Sequence, residues 1–130
     1  MNVETMKQAA IAALEEIKAR DIAVLKVSGL TSLFDYMIIA SADSARQTKA
    51  LASNVQERLK ALGASIHGTE GEQTGEWVLV DLGDIVVHIM QPAVRAYYNL
   101  EELWGEAGAK APQAQQERPL SAASFSNRAP

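Results

Sequence analysis

The sequence predicts an α/β fold in which helices flank a mixed β-sheet of about five strands. Apolar residues recur at helical spacing at the start, in the middle and near residue 100 of the chain. Short apolar runs typical of buried strands lie between these segments, and glycine-rich or polar stretches separate the two kinds of element. The predicted order is α-β-β-α-β-β-β-α, which is typical of a sheet with helices packed on it.

The composition sets the broad class of the protein. The 130 residues fit one domain. The chain has no cysteine, which excludes disulfides and thiolate chemistry, and its 2 histidines argue against a histidine-rich metal site. No apolar run approaches ~18 residues and the N-terminal segment lacks a signal-peptide pattern. We therefore expect a cytoplasmic protein without a membrane span.

The charge is unevenly distributed between the body of the chain and its last segment. The formal net charge is −4, yet Lys110, Arg118 and Arg128 outnumber Glu117 after Ala107. That segment contributes +2, so the body carries −6. An acidic body is poorly suited to a phosphate backbone, and we expect no direct, specific recognition of nucleic acid. It would suit a basic protein partner better.

The first part of the chain predicts one helix and two strands. Residues 3–20 carry apolar side chains at three- and four-residue spacing, which makes one apolar stripe along a helix. Residues 22–27 (IAVLKV) are typical of a strand, and "SGLTSL" is typical of a loop. Residues 35–41 (DYMIIAS) are apolar on both sides, which indicates a central strand.

A second helix is predicted after these strands. The serines of residues 41–44 are candidate N-caps, and the apolar periodicity continues to about Leu62. Gly63 fits the left-handed residue that commonly follows a helix. Beyond it, "SIH" predicts a short strand and "GTEGEQTGE" a polar loop.

Residues 76–90, "EWVLVDLGDIVVHIM", predict a β-hairpin that is apolar on both faces. A two-residue turn at Leu82-Gly83 would place Val80 opposite Ile85. The first face is then wholly aliphatic: Val78, Val80, Ile85, Val87 and Ile89. The second face is mixed: Trp77, Leu79, Asp81, Asp84, Val86, His88 and Met90. Since a small hairpin normally keeps one face in water, either a helix of the chain or a partner protein must cover this second face.

A third helix and a tail complete the predicted organisation. Pro92 suits the first turn of the helix, and Gly105 would end it. Its core stripe is predicted to be Ala93, Tyr97, Leu100 and Trp104. Tyr98 lies about 100° off this stripe, so we expect it to be exposed or to form part of a contact face. The domain would cover residues 1–106, and residues 107–130, rich in Ala, Gln, Ser and Pro, predict a disordered tail.

The side chains that could support catalysis form a weak pattern. Asp35, Asp81 and Asp84 lie at predicted strand ends, where carboxylates can hold magnesium, and an enzyme of the nucleotidyltransferase type could use Asp35 and Asp81. No cluster of Lys or Arg accompanies them, and turn capping is an alternative role. His88 has no nucleophile motif nearby and is more typical of a packed or interface residue. His67 is expected to face solvent.

Three segments in the chain carry a longer motif. They are "SLFDYMIIASADSARQTKALASNVQERLK", "EGEQTGEWVLVDLGDIVVHIM" and "RAYYNLEELW". In order and spacing, residues 3–105 resemble the ribosomal silencing factor family, also called the Iojap family. The string E-G-x(5)-W-x-L-x-D-x-G-D-x-V-V-H, followed by R-x-(Y)-Y-x-L-E-x-L-W, is long and specific.

The resemblance implies a fold, a partner and a mechanism. The implied fold is similar to nucleotidyltransferases but without established catalysis, and no cofactor is implied. The implied partner is the β-barrel ribosomal protein numbered fourteen, on the intersubunit face of the large ribosomal subunit. Binding there would block joining of the small subunit and dampen translation when nutrients are short. Relatives in organelles act in large-subunit assembly, and a homodimer is implied for the free protein.

The same resemblance, together with strand alternation, predicts five partner-binding residues. Trp77 matches a position that the family uses for binding, and His88 and Tyr98 match motif positions whose role is contact or fold. Leu79 and Met90 are added because alternation places them on the face of Trp77. Met90 stands where relatives are expected to carry an aromatic or another aliphatic residue.

Overall fold

The fold was analysed in a computed structural model that describes residues 2–105. The elements are α1 (Val3–Glu16), β1 (Arg20–Lys26), β2 (Tyr36–Ser41), α2 (Ala45–Ala61), β3 (Gly68–Glu70), β4 (Trp77–Asp81), β5 (Ile85–Met90), α3 (Pro92–Tyr98) and α4 (Leu100–Trp104). The predicted α/β class with a mixed five-stranded sheet is confirmed. The predicted tail, residues 107–130, lies outside the described residues. Within the described part, none of the helices has the length and apolar character needed to cross a membrane.

The sheet has the order β1-β2-β5-β4-β3. The two central strands, β2 and β5, are parallel, with Tyr36 opposite Ile85, and the other neighbouring strands are antiparallel. All six residues of β5 are buried, as are five of the six in β2. Strands covered on both faces need apolar side chains at odd and even positions alike, which accounts for the runs that predicted them.

Helices α1 and α2 cover the first face of the sheet. Met6, Ala10 and Leu14 of α1 are buried at helical spacing, as are five residues of α2: Thr48, Leu51, Ala52, Val55 and Leu59. They pack on the aliphatic hairpin face predicted from the sequence, Val78, Val80, Ile85, Val87 and Ile89. This layer is the larger hydrophobic core and anchors the hairpin from one side.

Helix α2 begins and ends at residues that its sequence marks. The N-cap is Ser44, whose hydroxyl oxygen accepts a hydrogen bond from the Gln47 backbone N–H at 3.1 Å. At the other end Gly63 has φ 93°, a left-handed conformation that glycine adopts without strain. Both predicted boundaries of the helix are confirmed.

Removal of the Ser44 cap is expected to destabilise the protein modestly. Ser44→Ala leaves the Gln47 N–H without its side-chain acceptor and should lower the free energy of unfolding by about 1 kcal/mol, measured by urea denaturation. Ser44→Asp, which keeps an acceptor at the cap, is the matched control and should stay close to the unmodified protein. Equal losses in both variants would contradict the capping role.

The hairpin turn differs from the prediction by one residue. The turn residues are Gly83 and Asp84, closed by a hydrogen bond from Leu82 N to Ile85 O at 2.9 Å, so Val80 pairs with Val87 and not with Ile85. Gly83 has φ 90°, which the first position of a primed hairpin turn requires. Moving the turn by one residue shifts the register by two, and the two faces keep their predicted members because side chains alternate with period two.

The prediction of a strand at "SIH" is wrong, because the structure has no strand at these residues. The third strand is Gly68–Glu70, within the segment predicted as a loop, and it pairs Thr69 with Val80 of β4. A hydrogen bond from His67 N to Asp81 O at 2.8 Å precedes the first residue pair of this ladder. This edge strand exists because β4 offers it a ladder of backbone groups, which local propensity does not encode.

The third predicted helix is divided in two at Asn99. This residue has φ 46° and ψ 56°, a left-handed conformation that ends α3 and starts α4 in a new direction. Leu100 and Trp104 are buried as predicted, whereas Tyr97, predicted to lie in the core, has 81% of its surface exposed. Because the helix axis changes direction at Asn99, the residues of α3 do not continue the buried stripe of α4, as they would in one continuous helix.

Candidate functional site

The second face of the sheet is largely covered by the chain itself. Helix α4 and the segment between β1 and β2 form the cover. Trp104 is only 1% exposed, and its ring centroid lies 5.9 Å from that of Phe34. The buried cluster on this face consists of Val27, Phe34, Met37, Ile39, Trp77, Leu79, Val86, Met90, Leu100 and Trp104. Of the two alternatives for this face, a helix of the same chain accounts for much of the burial.

The five predicted partner-binding residues lie on or beside this face. Met90 is fully buried, and Trp77, Leu79 and His88 are nearly so. Tyr98 lies at the end of α3 and is 45% exposed, as its position off the core stripe predicted. The structure thus brings the five residues together and presents one of them to solvent. Their role in partner binding stays a prediction.

Tyr98 rests on a base of buried aromatic side chains. Its ring centroid lies 4.7 Å from that of Trp77, and Tyr97 stands edge-on to Tyr98 at 5.0 Å. Trp77 Nε1 in turn donates a hydrogen bond to His88 Nδ1 at 2.9 Å. We call Tyr97 and Tyr98 the tyrosine patch. Because Trp77 supports it from below, the patch presents aromatic surface at a low cost in side-chain entropy.

The buried position of His88 fixes its protonation state. Burial lowers the pKa of His88 to about 3, since the charged imidazolium would lose its hydration. The ring is therefore neutral at physiological pH. The indole N–H of Trp77 can only donate, so the His88 Nδ1 that accepts from it carries no proton. The single ring proton is on Nε2.

A charged side chain holds α3, α4 and β2 together. Arg95 donates two hydrogen bonds to the carboxylate of Glu101, at 3.0 Å from Nε and 2.7 Å from Nη2, and its Nη1 donates to Ser41 Oγ at 2.8 Å. The hydrogen bond from Arg95 holds the pKa of Glu101 below its usual range. This arrangement fixes the direction of α3 and hence the position of Tyr98 above Trp77.

Sequence reasoning missed this pairing for a geometric reason. Arg95 and Glu101 are six residues apart, a spacing that does not bring side chains together on one continuous helix. The break at Asn99 makes the contact. A signal was present, because Asn99 is followed three residues later by Glu102, a spacing typical of a helix start, and Asn99 Nδ2 donates to Glu102 Oε1 at 2.9 Å.

A cavity opens at the turn end of the same face. Its volume is about 470 Å³, and it is lined by Leu33, Phe34, Met37, His67, Leu79, Asp81, Gly83, Asp84, Val86 and His88. Two of the predicted carboxylates, Asp81 and Asp84, line it, whereas Asp35 does not. His67 is exposed, as predicted. Within residues 2–105 no group of three or more His, Cys, Asp or Glu side chains is placed to hold a metal ion.

Comparisons with known proteins agree on one family. A family model described as "Ribosomal silencing factor during starvation" matches residues 1–129. A ribosomal silencing factor of Chromobacterium violaceum is 57% identical over 105 residues, which are 81% of this chain and 86% of that protein. A crystal structure of a Chromobacterium violaceum protein, also 57% identical, superposes with a TM-score of 0.79 and covers 81% of this chain and 88% of its own.

A more distant relative comes from an animal. The mouse protein named "Mitochondrial assembly of ribosomal large subunit protein 1" is 33% identical over 97 residues, which are 72% of this chain and 42% of that protein. The bacterial matches in sequence and structure span most of both partners. The chain belongs to the ribosomal silencing factor family.

Proposed function

We propose that the protein binds the large ribosomal subunit through its β-barrel protein numbered fourteen and blocks joining of the small subunit. The proposal places it in the cytoplasm and has it dampen translation when nutrients are short. It needs no cofactor and no catalytic step. The observation that carries the proposal is the tyrosine patch: Tyr97 and Tyr98 are exposed at 81% and 45% in the segment "RAYYNLEELW", which is one of those that carry the resemblance to the family.

The chemistry of the surface around the patch supports a basic protein partner. Tyrosine and tryptophan are enriched among residues that dominate binding energy at interfaces. Glu76, next to Trp77, and Glu102 of α4 are both exposed. The body of the chain carries a net charge of −6, which would steer it toward a positively charged protein surface.

The five predicted residues would contribute in different ways. Tyr98 would contact the partner directly, and Trp77 would act as the base on which Tyr98 rests. His88 would hold the Trp77 indole through its hydrogen bond. Leu79 and Met90 lie deeper, and we propose that they shape the face from beneath. A homodimer of the free protein would compete for the same patch if it uses these aromatic side chains.

A pelleting assay with purified ribosomal subunits tests the proposal. The protein is mixed with isolated large or small subunits, and the missing subunit is then added. Co-pelleting with the large subunit alone, together with reduced joining, is the expected result. Failure to pellet with the large subunit would overturn the proposed partner.

A second candidate function is a role in assembling the large subunit. The name of the mouse relative favours it for that protein. An assembly factor would share the docking surface, so the same assay separates the two: binding to the large subunit without any effect on joining would favour assembly. Sedimentation on precursor against mature large subunits would then show which form the protein prefers.

Tyr98→Ala is expected to weaken binding to the large subunit by roughly tenfold or more, measured by pelleting across a concentration series. The fold should survive, because Tyr98 is half exposed and forms no part of the buried cluster. This variant separates binding from folding better than Trp77→Ala, which also removes a buried ring and the hydrogen bond to His88.

The matched control is Leu62→Ala. Leu62 is an apolar residue of comparable exposure, 48%, at the C-terminal end of α2 in the layer that covers the opposite face of the sheet. Its truncation should leave binding unchanged. Equal weakening by both variants would point to a general loss of surface apolarity, and unchanged binding by a folded Tyr98→Ala protein would remove the tyrosine patch from the proposed interface.

A further inference from the structure

The cavity at the turn end of the second face has the size and walls of a small-molecule site. Its volume of about 470 Å³ lies in the range that such sites occupy. Half of the ten lining residues are apolar: Leu33, Phe34, Met37, Leu79 and Val86. The direct contact proposed above is made by Tyr98 over Trp77, neither of which lines the cavity, and the cavity shares only the supporting residues Leu79 and His88 with that surface.

The buried imidazole of His88 lines this cavity, and only one of its two ring nitrogens is hydrogen-bonded within the described residues. His88 lines the cavity, whereas Trp77, which occupies His88 Nδ1, does not. The proton-bearing Nε2 is therefore the ring nitrogen on the cavity side. It donates to no acceptor among residues 2–105. A ligand that fits this site must offer His88 a hydrogen-bond acceptor.

Two carboxylates define the polar rim. Asp81 Oδ1 accepts a hydrogen bond from Gly83 N at 2.9 Å, which leaves Oδ2 for a ligand, and Asp84 is exposed in the turn. Asp81 pairs with Val86, so Asp81 and His88 are diagonal neighbours on one face, about 7 Å apart. No Lys or Arg is among the lining residues. The rim thus favours hydrogen-bond donors and disfavours phosphate.

We propose that the cavity binds an uncharged adenine-type base or nucleoside. Adenine presents an acceptor ring nitrogen next to an amino donor on one edge. The ring nitrogen would accept from His88 Nε2–H while the amino group donates to Asp81 or Asp84. The apolar walls, including the ring of Phe34, would pack on the flat faces of the base. Docking on the ribosome is a separate property, and either can fail without the other.

Isothermal titration calorimetry without magnesium tests this site with three matched probes. Adenosine should bind saturably with Kd below about 1 mM. Inosine, which carries a carbonyl in place of the amino group, should bind at least about tenfold more weakly. Adenosine monophosphate should also bind more weakly, because its negatively charged phosphate is repelled by the nearby Asp81 and Asp84 carboxylates. No binding of adenosine at about 5 mM, or equal affinity for all three, would overturn the proposal.

Two conservative variants locate the binding to this cavity. His88→Asn keeps an acceptor for the Trp77 indole but removes the Nε2 donor, and should weaken adenosine binding about tenfold. Asp84→Asn keeps an acceptor at the exposed rim and removes its charge. It should therefore reduce the difference in affinity between adenosine and adenosine monophosphate. If thermal melting shows that His88→Asn does not fold, the Asp84→Asn result alone tests the site. An unchanged difference in affinity between adenosine and adenosine monophosphate in folded Asp84→Asn protein would contradict the assigned site.

Discussion

Trp104→Ala is expected to lower the free energy of unfolding by about 3–5 kcal/mol, the range for truncating a large buried aromatic side chain. Trp104 is 1% exposed and is among the largest fully buried side chains of the protein. It is the largest of the α4 side chains that cover the second face, with Phe34 as its aromatic neighbour. Chemical denaturation monitored by far-ultraviolet circular dichroism measures the loss.

Two variants show whether the loss comes from packing. Trp104→Phe keeps a ring in the cluster and removes an indole N–H that has no acceptor among residues 2–105. Its loss should be well below that of Trp104→Ala, at most about half of it. Tyr97→Ala truncates an aromatic residue that is exposed on α3 and should change stability by no more than about 0.5 kcal/mol. Similar losses for Trp104→Ala and Tyr97→Ala would contradict the covering role of α4.

Lowering the pH from 7 to 5 is expected to reduce the free energy of unfolding by about 2 kcal/mol through His88. The unfolded chain takes up a proton at His88 near the ordinary pKa of 6.5, whereas the folded protein holds that pKa at about 3. The unfolded state therefore binds more protons throughout this window, and stability falls as the pH falls. The full contribution of neutral His88 is present above pH 6.5. Urea denaturation at several pH values between 7 and 5 gives the slope.

The choice of pH range and the His88→Asn control separate the contribution of His88 from that of other titrating groups. Arg95 lowers the pKa of Glu101 from 4.5, so the stability from that pair is present above 4.5 and is lost only at lower pH. His88→Asn has no imidazole at this position and should be nearly independent of pH between 7 and 5. If the unmodified protein and His88→Asn show the same slope, His88 does not keep its lowered pKa in solution.

The two faces of the hairpin could be predicted from the sequence because they depend only on the alternation of side chains along a strand. The assignment of Val78 and Val87 to one hairpin face, and of Trp77 and Met90 to the other, survived a register that was two residues off. Register depends on which residue takes the first turn position, and Gly83 in a positive-φ conformation decides it. The short strand β3 was not predictable from local sequence because its backbone partner, β4, defines it.

The sequence predicted which residues form the candidate site, but it did not predict correctly which of the two tyrosines is the more exposed. Tyr98 was expected at the surface from its angle on α3, and it is there. Tyr97 was misplaced because the prediction carried one helical period across Asn99, where the chain turns. The cavity depends on the approach of the hairpin turn to the segment between β1 and β2. Contacts between segments far apart in sequence are not encoded in local periodicity.

The parallel pairing of β2 and β5 at the centre of the sheet has a consequence for how the chain reaches its fold. The antiparallel pairs β1–β2 and β4–β5 join neighbours along the chain and close short loops. Joining β2 to β5 closes a loop that contains α2, β3 and β4. During synthesis, β2 has no neighbour on its inner edge until residue 90 has been made. Formation of the central pair is thus the step with the highest contact order in the sheet.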